Sequence, residues 1–301
     1  MKKQGKTHQN YFISKGEKIM LSREFVNEVV NAVKVLVPTM EVECQKTLKN
    51  NNVELNGVII KEPNRNMHPT IYIENFVGER DVNKIAKEIV EIYHKHSKEC
   101  DECENIIKAI RDYGNARQLL RVRLINKKNN TKVFNEVPYL PFLDMAIIVV
   151  VDIGIGTIKV TNKMLEEWHI SNFEDLVCVA KENTFKTPYV LKSIEELLDL
   201  TDMLTEEMVI QMHTLTNEEL FYGATEICNE KTMQEIANKL NADLIVLPSS
   251  VHEVVIMPKF KDVDFGYLTY MVREVNRRDV SPDEVLSDHY YLYSRENGWS
   301  F

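Results

Sequence analysis

Apolar residues behind Ser22 recur as Phe25, Val26, Val29, Val30 and Val33, a helical stripe that Pro38 stops. Ser22 itself is a suitable N-cap. The pattern then changes to β. "VECQKTL" and "VELNGVII" flank an asparagine run, and asparagine tolerates the left-handed backbone of a tight turn, so the stretch predicts a hairpin. "PTIYIENF" predicts a third strand from its β-branched and aromatic content. A long amphipathic helix follows from near Glu79, with Val82, Ile85, Ala86, Ile89, Val90 and Tyr93 on one face. A shorter helix and a basic hairpin, "LLRVRLINKKNNTKVF", complete the first half, and the prolines of "VPYLPF" suggest a domain boundary.

The second half opens on "MAIIVVVDI", whose continuous apolar run implies burial on both faces. "GTIKVT" reads as its neighbour. Short helices follow around "KMLEEWHI" and from Ser171, where Ser171 and Glu174 have the spacing of a capping box. "SIEELLDL" suggests another helix and "MVIQMHTLT" a strand. A helix around Met233, Ile236, Ala237 and Leu240 leads into "ADLIVLPSSVHEVVIM", two strands and a turn. A helix around Leu268, Met271, Val272 and Val275 comes next. Ser281, Pro282 and Glu284 then occupy the N-cap, N1 and N3 positions of one more, and "HYYLYS" is a last strand. Hairpins with helices between them, without a regular βαβ alternation, predict an α+β fold of mixed strands with flanking helices. The expected organisation is a solvated tail over 1–20, one subdomain over 21–140 and a second over 141–301. Translation could start at Met1 or at Met20.

Composition narrows the function classes. The 301 residues are 44% hydrophobic and 28% charged, with a formal charge of −9. That balance argues against a general binder of nucleic-acid backbones, although a local basic face is compatible with it. Five cysteines, an odd number spread over a long chain, suggest reduced thiols in a cytoplasm. "MAIIVVV" is too short to span a bilayer, and the lysine-rich N-terminus lacks the apolar stretch of a signal peptide.

Several short stretches together, "KNNNVELNG", "PTIYIEN", "AKENT", "LPSSVHEVVIMP" and "MVREVNRRDVSPDEVLSDHYYLYSR", resemble an uncharacterised domain-of-unknown-function family of anaerobic Firmicutes, from about residue 25 to 295. More distantly, "DIGIGTIKVTNKMLEEWHISNFEDLVCVAKEN", "FYGATEICN" and "LPSSVHEVVI" are similar to a second uncharacterised bacillar family. Neither resemblance implies an activity.

Four stretches carry candidate chemistry. In "PSSVHE", a strand over 251–257 would put Ser250 and His252 on one face and Ser249 and Glu253 on the other. A triad would then need an acid from elsewhere, such as Asp152, Asp279 or Asp288. Ser249, Ser250, His252, Glu253 and Asp288 are candidate ligand-binding residues, with Ser250 and His252 the candidate catalytic pair. The alternative is a hairpin turn whose serines bond their own backbone. In "HKHSKECDEC", His96, Cys100 and Cys103 share a helix face but lack a fourth ligand. They read as thiols in or on a core, and no metal or other cofactor is expected. Should a zinc be present, His94, Cys44, Cys178 and Cys228 are the further donors. "DIGIGT" lacks the third glycine and the following helix of a dinucleotide loop and reads as a tight turn. Arg117, Arg121 and Arg123, with Lys127, Lys128 and Lys132, could hold phosphate or could form a solvated edge strand. The expectation is a cytoplasmic accessory or regulatory protein that binds an unknown protein or small molecule, with no membrane. A hydrolase with a pocket near Ser250 and His252 is the alternative, and a nucleic-acid factor using the 117–132 hairpin the third reading.

Overall fold

A computed structural model describes residues 21–63, 65, 67–154, 156–197, 212–248 and 250–300, without the side chains of 98–102, 195 and 197. The tail over 1–20, Ser249, the first residues of "MVIQMHTLT" and the end of "SIEELLDL" lie outside it. The chain divides into two compact units, the first comprising 1–48 and 54–101 and the second 49–53 and 102–301.

In the first unit, α1 (Arg23–Leu36) starts where the Ser22 hydroxyl accepts from the backbone of Phe25 at 3.1 Å. The strands β1 (Glu41–Leu48), β2 (Glu54–Lys61) and β3 (Thr70–Tyr72) form an antiparallel sheet in that order. Its register pairs Val42 with Ile60 and Val58 with Ile71, which puts all four on one face. That face shares a buried cluster with Val26, Val29, Val30 and Val33 of α1 and with Ile85, Ala86, Ile89 and Tyr93 of α2 (Val82–Ala109). α2 is one continuous helix, and the division between the units falls within it.

The second unit holds two antiparallel sheets. In one, β6 (Met145–Asp152) pairs with β4 (Leu120–Asn126) on one side and with β5 (Leu140–Phe142) and β7 (Thr157–Lys159) on the other. The other sheet runs β13 (Gly298–Ser300), β12 (Tyr291–Ser294), β10 (Leu244–Leu247), β11 (Val254–Pro258), β9 (His213–Asn217) and β8 (Tyr189–Ser193). Around them lie α3 (Tyr113–Ala116), α4 (Asn162–Glu167), α5 (Phe173–Thr184), α6 (Ile194–Leu197), α7 (Glu230–Lys239) and α8 (Phe265–Arg278). The α+β class follows directly from this element order.

The main core gathers Val122, Leu124, Ile147, Val149 and Val151 from one face of the four-stranded sheet with Leu215, Leu244, Val246, Val254 and Ile256 from the six-stranded one. Several expectations change here. A boundary at residue 140 would cut the four-stranded sheet, because β4 pairs with β6 across it. The basic stretch 117–132 is not a hairpin: β4 leads into two 3-10 turns, and its partner strand comes later. Nor is β4 a solvated edge. On its side without a partner strand, Val122 N and Leu124 N donate to the hydroxyls of Thr184 and Thr225 at 2.9 and 3.2 Å. α5 is capped by Asn172, whose side chain accepts from Glu174 N at 3.0 Å, rather than by Ser171. The stretch at Ser281 is a turn and not a helix. Its carbonyls at Pro282, Asp283 and Val285 accept from the amides of Asn50 and Asn51 within the same unit, which holds them in turn geometry.

Candidate functional site

β10 and β11 are joined by a turn in which Ser250 N donates to Glu253 O at 3.2 Å. The strand begins only at Val254, so the alternation expected over 251–257 does not apply to His252 and Glu253. Ser250 is buried, and its hydroxyl accepts from the backbone N–H of His252 at 3.0 Å. His252 O in turn accepts from the Thr216 hydroxyl at 2.8 Å. The imidazole is engaged on both sides. Nδ1 accepts from Tyr222 N at 3.2 Å, and Nε2 stands 3.3 Å from Oε1 of Glu284. A ring that accepts at Nδ1 carries its neutral-form hydrogen on Nε2, directed at the carboxylate. The acid brought to His252 is therefore Glu284, not Asp152, Asp279 or Asp288. Asp288 accepts from Asn276, Asp279 sits at the C-cap of α8, and Asp152 faces Arg123.

The segment after β9 carries the link to the second candidate. Tyr222 adopts a left-handed backbone with φ 53° and opens a buried 3-10 segment, Gly223–Cys228. A Cβ on Gly223 would collide with Oγ1 of Thr216 and stand 2.6 Å from His252 O and 2.7 Å from Asn217 N. Only glycine lets this segment pass so close to the His252 turn. The rings of Phe221 and Tyr222 then flank the imidazole, with centroids at 5.4 and 5.6 Å. Arg123 of β4 also lies against them, its guanidinium carbon 5.8 and 5.1 Å from the two ring centroids.

Arg123 is 3% exposed. Nη1 donates to Val122 O at 3.3 Å, Nη2 is 3.8 Å from Asp152, and the buried Nε has no hydrogen-bond partner. Burial lowers its pKa against the opposing pull of Asp152. Arg121 donates to the carbonyls of Gln118 and Leu120 at 3.0 and 2.9 Å, while the Arg117 carbonyl accepts from the Asn183 amide. Arg123 and His252, candidates for separate chemistries, thus both lie against one pair of rings.

Two acidic features carried no sequence signal. Glu226, in the buried 3-10 segment, is 2% exposed, and burial pushes its carboxyl up to about 7. Asp144 bonds Tyr291 and lies 2.9 Å from Nε2 of His289, whose Nδ1 is 2.9 Å from Tyr290 O. Burial, followed by Asp144, holds the Tyr291 phenol far above its ordinary range. Ser287 completes that network at 2.6 Å from the phenol oxygen. Both ring nitrogens of His289 face oxygen acceptors.

Among the described residues no group of three or more His, Cys, Asp or Glu side chains is placed to hold a metal. Cys103 is buried, and the Cys100 side chain lies outside the described residues. No described helix is long and apolar enough to cross a membrane.

A family model described as a family of unknown function, DUF5688, matches residues 22–295. The chain belongs to the DUF5688 family. The match covers both compact units, so the Arg123–His252 arrangement falls within the part that defines the DUF5688 chain. No curated protein and no solved structure matches it, and the family description assigns no function.

Proposed function

We propose that this is a cytoplasmic accessory or regulatory protein that binds a ligand or partner, and that the His252 turn is a structural support and not a hydrolytic centre. The observation that carries this reading is the commitment of His252. One ring nitrogen accepts a backbone N–H, the other faces Glu284, and the Ser250 hydroxyl is bonded to the His252 backbone instead of its ring. A hydrolytic serine needs its hydrogen taken by a free imidazole nitrogen, and a nucleophile–base pair within hydrogen-bond reach. The turn supplies neither. Reduced thiols fit the cytoplasmic assignment: Cys44, Cys178 and Cys228 are free.

The test is a panel of activated esters offered to the purified full chain and to Ser250→Ala. The expected result is no turnover above buffer in either, with Ser250→Ala destabilised by about 1 kcal/mol for its lost hydrogen bond. Turnover that disappears in a fully stable Ser250→Ala variant would establish the hydrolase instead.

A further inference from the structure

The face of the four-stranded sheet turned away from the main core gathers cations around a single valine. Val150 of β6 pairs with Arg121 on β4 and with Lys159 on β7, so all three side chains leave the sheet on the same side. Arg123 follows two residues along β4, opposite Ile148, and shares that side. Ile125, Ala146, Ile148 and Val150 form a small apolar cluster there, against which Tyr222 packs. Arg121 and Lys159 thus flank Val150 from its two neighbouring strands and Arg123 is its diagonal neighbour, while the Arg121 guanidinium donates to the carbonyls of Gln118 and Leu120.

The local balance of charge and hydrogen bonds is incomplete. Arg123 is the most buried of the three, and its Nε has no acceptor. The carboxylate beside it is Asp152 at 3.8 Å, with Glu219 acting on it more weakly and Arg121 opposing. Lys159 is half-buried; burial and the nearby Lys49 both lower its pKa, and no carboxylate offsets them. A buried guanidinium with an unused donor, flanked by like charges, is costly to keep without an anion to complete it.

We propose that this face binds a phosphate-bearing small molecule, held by Arg121, Arg123 and Lys159, with Phe221 and Tyr222 as its apolar wall. The proposal rests on the binding reading above and names its ligand class. Counting Lys49 beside Lys159, four cations stand against two carboxylates, Asp152 and Glu219, and leave two positive charges, which match a dianionic phosphate better than a single carboxylate. Arginine matches phosphate oxygens through its planar fork of donors, and a rigid aromatic pair beside it accepts the organic part of such a ligand. The small size is argued from the burial of Arg123 and from the net charge of −9, which opposes a long polyanion tracking the surface.

The experiment is calorimetric titration of the full chain with pyrophosphate, inorganic phosphate and a short single-stranded oligonucleotide. Pyrophosphate is expected to bind saturably. Lys159→Gln and Arg121→Gln should each weaken it about tenfold, the scale of one charge-assisted contact, and Lys159→Arg should retain it. The unliganded Lys159→Gln variant should melt at or above the wild-type temperature, since no carboxylate offsets the burial of Lys159, so its lost binding is not lost folding. No saturable binding of pyrophosphate or phosphate, or binding undiminished in both glutamine variants, overturns the proposal. Tighter binding of the oligonucleotide than of pyrophosphate also overturns it, in favour of nucleic acid. Turnover of the bound phosphate compound would instead defeat the non-catalytic reading and leave the site standing.

Discussion

His252 and Arg123 lie against the same two rings, Phe221 and Tyr222, and reach them from opposite directions in the sequence. Around His252 the polar atoms are matched: Nδ1 with Tyr222 N, Nε2 with Glu284, the backbone N with Ser250 and the carbonyl with Thr216. Around Arg123 they are not. One guanidinium nitrogen finds a carbonyl, one faces Asp152 at 3.8 Å, and Nε finds nothing. A polar residue amid apolar neighbours means different things in the two cases. With its partners complete, it is part of what holds the fold; with a donor left over, it costs stability until something completes it. Serine, histidine and glutamate in a short stretch suggested chemistry more strongly than an arginine on a strand did, yet the matched turn has the features of a scaffold and the unmatched arginine those of a site.

Gly223→Ala should break the comparison most severely, because it forces apart the His252 turn and the segment that carries Phe221 and Tyr222. Its Cβ meets the backbone at His252 O and Asn217 N and cannot be relieved by a side-chain rotation. A loss of about 3 kcal/mol is expected in a denaturant melt, at the upper end of overpacking effects. Stability equal to wild type would mean that the two segments are not packed as described.

Glu226 provides a pH-dependent variant on the same segment. Its carboxyl is raised from 4.5 to about 7 in the folded protein, so folding favours its protonated form. The contribution is fully present below the unfolded value and is lost as pH rises through about 7. Glu226→Gln should therefore match wild type at acid pH and exceed it above pH 7, by up to about 3 kcal/mol from the size of the shift. Paired melts across this range check it, and a difference independent of pH would show that the carboxylate is compensated in the fold.

His252→Ala should cost about 2 kcal/mol, because Tyr222 N loses its acceptor inside the protein. An unchanged melting temperature, with a binding function lost, would make this histidine part of a site. The smallest effect is expected for Arg123→Met, which replaces an incompletely paired buried charge by an apolar side chain of similar length. Stability should stay within about 1 kcal/mol of wild type or rise, as such replacements often do. A loss as large as that of His252→Ala would erase the contrast between the two regions.

Local pattern alone was enough for the elements whose cause is local. Ser22 caps α1, the asparagines turn the β1–β2 hairpin with Asn51 and Asn52 at positive φ, and the unbroken apolar run of β6 is buried on both faces. The α+β class follows from the order of such elements, each set by periodicity, turn residues and caps within a few positions. Alternation along β4 likewise put Arg121 and Arg123 on one face. What covers that face could not be read from the strand. Phe221 and Tyr222 arrive from almost a hundred residues later, and Lys159 from the far side of β6. The same holds where local signals misled. Ser281, Pro282 and Glu284 carry the marks of a helix start, but Asn50 and Asn51 take the turn's carbonyls, and Glu284 takes a place beside His252. Hydrogen-bond partners and burial belong to pairs of distant segments. Periodicity, caps and turn residues fix most of the elements and the alternation of their side chains, whereas which polar atoms are satisfied depends on partners from distant segments and so on how the whole unit packs.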